Sequence, residues 1–427
     1  MDKGIVVLGG GIAGITAAYF LGKEKAVVYE KEEQWGGLCN SFCINNFIFD
    51  KAIHLSFTKY SEVREIFDRV NYYKHEPNPS NYYKGHWLKH PIQNNLYPLP
   101  AEEKVKAIKD FINRPIYNKK FLNYEEWLYE QFGQYIAENF SLKYTEKYWC
   151  EEGKKLETSW IKNRVYRPSI EEVLYGAMSE KTPNTYYAKE MRYPKEGGYK
   201  AFLKPMGEET NILLNKKAVL IDSHNKLIEF SDGTKIHYET LISSIPLPKL
   251  INIIKDAPKV VREAANNLVA TSILLISVGF NKPDVVKNLW FYIYDEDLLP
   301  ARAYSPNLKS KNNVPSGCSS LQFEIHYSKY KPININRANI LEHVSNVIEK
   351  LNIARKSEII FMDYRNVEYG NVIFYKDIHK NKKIIQNYLD KIGIRYIGRF
   401  GEWDYLWSDQ SLLSGKKVAK ELITEIP

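Results

Sequence analysis

The feature that most constrains this chain is Gly9-Gly10-Gly11-Ile12-Ala13-Gly14, a G-x-G-x-x-G string placed directly after an apolar run, Gly4–Leu8. A helical run over Ile15–Gly22 and a second apolar run over Ala26–Tyr29 follow it. Strand, glycine turn, helix and strand in that order form the βαβ unit that binds dinucleotides. Gly9 permits the tight turn, Gly11 lets backbone approach a pyrophosphate, and Gly14 allows close helix–strand packing, with Ala13 on the same turn. The helix start then offers free N–H groups and a positive dipole end to phosphate oxygens. A glycine string alone is a weak signal. Here Glu30 closes the second strand roughly 20 residues on, where a carboxylate accepts ribose hydroxyls, and Lys31 follows it.

At 427 residues the chain needs two or three cores. With 44% hydrophobic and 26% charged residues it reads as globular. The net charge of +9 is scattered, without a basic run, which speaks against a nucleic-acid binder and fits an anionic ligand. Cys39, Cys43, Cys150 and Cys318 do not make a disulfide framework, and no His-rich segment lies near them to complete a zinc site, so no metal is expected. The apolar start lacks a cleavage-site pattern, and Leu268–Phe280 is too short to span a bilayer, so a cytoplasmic protein is expected. The 32 Tyr and 8 Trp reflect either a site that stacks flat or sugar-like ligands or an AT-rich coding bias.

Helical spacing runs from about Lys104 to Ala177. Strand-like segments recur at Ala218–Ile221, Leu227–Phe230, Thr240–Ile245, Ser272–Phe280, Leu289–Tyr294, Cys318–Ile325 and Glu358–Phe361, and a helix from Ser411 to Ile426 closes the chain. The expected class is α/β: a Rossmann-like domain assembled from discontinuous segments (residues 1–78, 190–262 and 392–427). Into it are inserted a helical substrate domain (100–182) and an antiparallel β-sheet substrate domain (79–99 and 263–391).

Past the ribose carboxylate, Glu30-Lys31-Glu32-Glu33-Gln34-Trp35-Gly36-Gly37-Leu38 brings a second glycine pair, which lets the chain fold over the extended pyrophosphate of a flavin dinucleotide. It resembles the second FAD motif of the glutathione-reductase and amine-oxidase superfamilies. Tyr396-Ile397-Gly398-Arg399-Phe400-Gly401 looks like the strand and turn returning to the flavin. Asp409-Gln410-Ser411 caps a helix whose start would face the flavin N1/O2 edge, and Ala218-Val219 resembles the strand whose Val backbone meets adenine. FAD is the expected cofactor. No second nucleotide motif is visible, so any NAD(P)H would bind transiently over the flavin.

Further segments narrow the resemblance to the UDP-galactopyranose mutase family, in particular its eukaryotic-type branch, over nearly the whole chain. Asp50-Lys51-Ala52-Ile53-His54 resembles D-x-G-x-H, and His90-Pro91-Ile92-Gln93-Asn94-Asn95 resembles Y-P-F-Q-x-N. Phe132-Gly133-Gln134-Tyr135-Ile136-Ala137, Tyr144 and Trp149 resemble the family's helical domain, Asn163-Arg164-Val165 its E-R-V, and Gly398–Tyr405 its G-R-F-G-x-W-x-Y. Shared order along the chain makes these jointly specific. The resemblance implies a pyranose–furanose interconversion of a nucleotide diphosphate sugar without net redox change. In it the N5 of reduced flavin attacks the anomeric carbon, expels the diphosphate and holds the sugar while the ring reopens and recloses.

The same resemblance assigns roles. Arg164 and Arg302 flank the pyrophosphate, which suits a fork that stays charged and binds phosphate bidentately. Tyr292 and Tyr405 bind diphosphate and sugar, and His54 lies by flavin N5, tuning it or accepting a proton near neutral pH. Gln93, Tyr144, Trp149 and Trp290 line the substrate, and Arg399 is a flavin or structural contact. The departures are Ala52-Ile53 for the family's glycine pair, His90 and Ile92 for its uridine-stacking rings, Thr145 for an asparagine and Asn371 for a diphosphate tyrosine. A phosphate grip kept while base and sugar contacts change implies a nucleotide sugar other than UDP-galactose. The rival reading is a redox flavoenzyme of the amine-oxidase or protoporphyrinogen-oxidase type, which shares the FAD motifs.

Overall fold

The computed structural model describes residues 4–117, 120–162 and 164–425. Asn163 and Ile426 of the segments above lie outside them. Ile5–Leu8 and Ala26–Tyr29 are short β-branched runs, and they pair in parallel at the centre of a five-stranded sheet. Thr240–Ser243 and Ile394–Tyr396 add on one side and Asn211–Leu213 on the other, all parallel. Strands from widely separated parts of the chain therefore make one Rossmann-like sheet.

The glycine-turn helix, Ile12–Leu21, is buried on nearly every face. One face meets the sheet through Ala13, Ala17 and Leu21. Across from it the C-terminal helix, Ser408–Glu425, contributes Ala419 and Leu422 to the same core. A helix apolar all round is what a buried position between two layers requires. It starts at Ile12, three residues before the position expected from spacing, because the glycines already belong to its first turn.

A second, seven-stranded sheet carries the far wall of the molecule. Its order is Ile359–Val367, Ser272–Phe280, Ser319–Tyr327, Arg302–Tyr304, Trp290–Ile293, Ser80–Tyr83 and His86–Lys89. All neighbours are antiparallel except the parallel pair Trp290–Ile293 with Ser80–Tyr83. Helix Arg337–Lys350 covers its outer face with Ile340, Val344, Val347 and Ile348 against Leu274, Ile276 and Val278. Neither that helix nor the Ser80–Lys89 hairpin was expected from spacing. The inner face turns toward the glycine motif. Helices Ala101–Ile112, Tyr124–Ile136, Leu142–Tyr148 and Ile170–Met178 close the third side. Asn123 accepts the Glu126 N–H at 2.9 Å and Ser169 forms a capping box with Glu172, so two helix starts follow directly from local chemistry.

Candidate active site

The three sides enclose a cavity of about 1650 Å³ that runs from Gly9 and Glu30 to Tyr144 and Trp290. Drug-sized pockets reach about 1,000 Å³, so this one has room for a dinucleotide and a second ligand together.

At the dinucleotide end, Gly9, Gly11, Ala13, Glu30, Lys31, Gly37, Leu38, Gly398, Arg399 and Ser411 all lie on the wall. A Cβ on Gly37 would stand 3.0 Å from the Gly11 Cα, so the two loops touch only because both lack side chains. Gly14 is behind the wall, packed against the Gly9 carbonyl. Glu30 is buried and accepts the N–H groups of Gly10 at 2.6 Å and Glu32 at 3.0 Å, which fixes the turn. Val219 is not on the wall; its side chain faces solvent and Ala218 takes the place beside the cavity. Asp409 and Gln410 are also off the wall. The C-terminal helix begins at Ser408, earlier than expected, so Gln410 accepts the Trp407 N–H at 2.9 Å while Ser408 and Ser411 face the cavity. A glycine cradle, an acid at the second strand and a helix start at the opposite end fit an FAD lying extended between them. Arg399 follows Gly398 on this wall, and its guanidinium, whose buried Nε has no partner among the described residues, extends to the other end.

At the other end three guanidinium groups converge. Arg164 lies between two rings, its Cζ 4.1 Å from the centres of both Tyr405 and Trp407, and donates to the Tyr405 carbonyl. Arg399 stands 4.7 Å from the same Tyr405 ring and donates to the Leu406 carbonyl and to Asn371 Oδ1. Arg302 lies 5.2 Å from the Tyr148 ring, and the hydroxyls of Tyr148 and Tyr405 meet at 3.2 Å. Among the described residues only Glu324 pairs with any of the three, accepting Arg302 Nε at 2.5 Å. Burial pushes the Tyr405 phenol up, but Arg164 and Arg399 outweigh it and hold it below the ordinary tyrosine range.

Aromatic rings build the remaining wall. Tyr292 packs on Tyr144 at 5.3 Å and on His90 at 4.9 Å, Trp149 lies 5.3 Å from Tyr405, and Trp290 lies 5.5 Å from Tyr186. Gln93 donates to the Tyr166 carbonyl at 2.8 Å, and Thr145 turns back to the Ser141 carbonyl. Ile92 is buried away from the wall. Asn371 is on it, but its side-chain oxygen is taken by Arg399.

His54 faces the cavity with Nδ1 bonded to the Ala52 carbonyl at 3.1 Å and its ring 4.9 Å from Tyr199. Burial pushes its pKa down to about 4, which corrects the expectation of a proton acceptor near neutral pH. The neutral ring is a hydrogen-bonding group over the working range. Between about pH 6.5 and about pH 4 the unfolded chain binds this proton and the folded one does not, so the His54 contribution to stability falls as pH drops through that window. We expect histidine-selective NMR to show no His54 titration from about pH 8 down to about pH 5. A midpoint near 6.5 would contradict the buried, neutral assignment.

Several groups at the site carried no motif: Glu324, Tyr148, Trp407, and Lys309, the partner of Asp50. Asp50 and Lys309 are fully buried and 2.6 Å apart, with Tyr193 donating to both Asp50 oxygens. Although burial raises the Asp50 carboxyl, Lys309 outweighs it and holds it below its usual range. The one signal available was alternation. Gln322, Glu324 and His326 recur at every second position of an otherwise apolar strand, so one face of it is polar and buried.

Comparison with known proteins agrees with this geometry. A family model described as an NAD(P)-binding Rossmann-like domain matches residues 7–70. The crystal structure of reduced UDP-galactopyranose mutase is similar over 100% of this chain and 96% of its own, with a TM-score of 0.92 and 25% identity. A protein assigned as a protoporphyrinogen oxidase from Exiguobacterium sp. 255-15 superposes over 100% and 99%, at TM-score 0.77 and 13% identity. Putrescine oxidase bound to putrescine does so over 99% of each chain, at 0.67 and 11%. The last two show the fold alone. No helix among the described residues is long and apolar enough to cross a membrane. The chain is thus similar to UDP-galactopyranose mutase throughout its length and shares the fold of the protoporphyrinogen and putrescine oxidases, with FAD as its cofactor.

Proposed function

We propose that this flavoenzyme interconverts the pyranose and furanose forms of a nucleotide diphosphate sugar other than UDP-galactose. The observation that carries this reading is the convergence of Arg164, Arg302 and Arg399 on one wall, with Glu324 their only carboxylate partner among the described residues. Such a wall suits a dianionic diphosphate and repels a cationic amine. Arg164 and Arg302 hold the diphosphate and stay charged as it gains negative charge on leaving. The Tyr405 and Tyr148 hydroxyls donate to it, and the rings of Tyr144, Tyr292 and Trp149 keep water from the sugar. His54, neutral, accepts a hydrogen bond through Nε2 and holds a sugar hydroxyl in place. Reduced FAD, when bound, supplies N5 as the nucleophile for the anomeric carbon.

The changed base end supports a different substrate. His90 occupies a ring-stacking position, its Nδ1 tied to Asn81 at 3.1 Å and its pKa pushed by burial to about 3, so it presents an uncharged polar ring. Four free cysteines suit a reducing compartment, and a cytoplasmic enzyme is proposed. The test is to reduce the protein with dithionite under argon and incubate it with a panel of nucleotide diphosphate sugars. Chromatography is expected to show one furanose product, absent with oxidised protein and at most weak with UDP-galactose. Aerobic peroxide formation from amines, with no sugar nucleotide converted, would sink the proposal in favour of an oxidase.

A further inference from the structure

The loop that carries His54 and the arginine that faces the diphosphate share one carboxylate. Glu324 lies at the middle of strand Ser319–Tyr327, with its side chain fully buried. Its Oε1 accepts the backbone N–H of Ile53 at 2.9 Å, and its Oε2 accepts Nε of Arg302, the cross-strand partner directly opposite, at 2.5 Å. A carboxylate has two oxygens, and here each is committed to a different functional element.

The loop needs such a hold. Ala52 is buried with φ +84°, a left-handed conformation in which the alanine Cβ crowds the backbone. A conformation of that kind persists only where its surroundings over-determine it. Two anchors do so. On one side the Tyr304 hydroxyl lies 3.2 Å from both the N and the O of Asp50, whose carboxylate pairs with Lys309. On the other side the Ile53 N–H is held by Glu324, while the Ile53 side chain packs against the cluster of Leu289, Trp290 and Tyr304. The first anchor is a closed buried cluster. The second runs straight to Arg302, whose side chain keeps 17% exposure toward the cavity.

We propose that Glu324 is a positioning residue that couples the His54 loop to the occupancy of Arg302. Resting on the diphosphate-binding reading, the coupling works as follows. An anion that engages the outer N–H groups of Arg302 fixes the guanidinium, the fixed guanidinium orders Glu324, and the ordered carboxylate holds Ile53 and the strained Ala52 in place. His54 is then set in position when the diphosphate is seated. Coupling of this kind is reciprocal, so a loop held in place also binds the anion better.

The test uses FAD-loaded protein and inorganic pyrophosphate, which carries the diphosphate chemistry without a base or sugar. Hydrogen–deuterium exchange of the peptide spanning residues 50–54 is followed with and without the anion. In the wild type, saturating pyrophosphate is expected to slow Ile53 exchange at least about fivefold. Glu324→Gln is isosteric and keeps an acceptor for Ile53 but not the second, charged one for Arg302. It should show less than a twofold effect, with pyrophosphate binding weakened about tenfold. Ala52→Gly leaves the Glu324–Arg302 pair intact and frees the loop. It should lose the anion-dependent protection and, as reciprocity requires, bind pyrophosphate up to about fivefold more weakly than wild type, which keeps the question open to test if Glu324→Gln folds poorly. Protection that persists in both variants overturns the coupling. Wild-type protein blind to pyrophosphate overturns the diphosphate reading instead, and the coupling with it.

Discussion

Replacement of Arg302 by alanine is expected to lower kcat/KM for the sugar nucleotide by about 1,000-fold, and to destabilise the protein as well. Removing one partner of a buried, hydrogen-bonded charge pair costs about 2–5 kcal/mol in binding. The stability loss has a separate origin. Glu324 has no exposure, and after the substitution only the Ile53 N–H at 2.9 Å and His326 Nε2 at 3.5 Å remain near it. Leaving a charge in such a place costs about 3–5 kcal/mol. For a chain of 427 residues, an unfolding entropy of about 2.1 cal/mol/K per residue converts this to a fall in Tm of about 3–6 °C. Replacing both partners by methionine removes the stranded charge, so Arg302→Met with Glu324→Met should recover most of the Tm but none of the activity. Calorimetry and steady-state kinetics on the three proteins check this. Full activity in Arg302→Ala would remove the arginine from the site.

Gly14→Ala should yield protein that purifies without its yellow colour. A Cβ at position 14 would sit 2.0 Å from the Gly9 carbonyl oxygen and 3.1 Å from Ser244 Oγ. The obstacle is backbone and cannot rotate away, and Gly9 is itself held at φ +100° with Ser244 Oγ 2.4 Å from where its own Cβ would be. The turn must open, which withdraws the N–H groups aimed at the pyrophosphate. A loss of at least about 100-fold in FAD affinity, about 2.7 kcal/mol, is expected. Gly4→Ala is the control: its Cβ would meet nothing nearer than the Lys25 carbonyl at 3.5 Å, and its flavin content should match the wild type. Flavin absorbance per mole of protein decides between the outcomes, and a fully loaded Gly14→Ala would refute the packing argument.

The parts of this molecule that were legible in its residues are those whose chemistry is local. The glycine turn lies within a few residues of chain, and the structure forms it between the two strands where the pattern puts it. Strand Ser272–Phe280 has the limits expected from its apolar run. The Ser80–Lys89 hairpin was not legible, because Ser-Asn-Tyr-Tyr and His-Trp-Leu-Lys show no clean alternation of period two. Val219, expected to meet adenine through its backbone, turns its side chain to solvent, while Ala218, one residue away and so on the other face, lines the cavity. At the site, residues inside family-like segments could be named in advance. Glu324 could not, since its role comes from Arg302, 22 residues upstream, and from Ile53, 271 residues upstream. Such a residue becomes visible only when the strands are laid side by side.

The parallel sheet of the dinucleotide end has a consequence for how the protein is made. Its strands come from Ile5–Leu8 at one extreme and Ile394–Tyr396 at the other, and helix Ser408–Glu425 then lies so close to the glycine-turn helix that a Cβ on Gly415 would be 2.2 Å from the Ala13 carbonyl. A ribosome delivers the glycine motif well before the residues that close over it. Until Ser408–Glu425 is made, the nascent chain holds an open half-cradle with apolar faces uncovered, a situation in which chaperones are needed. Flavin capture must wait for that helix, and a transcript cut short before Ser408 would yield a colourless chain with its entire nucleotide motif intact.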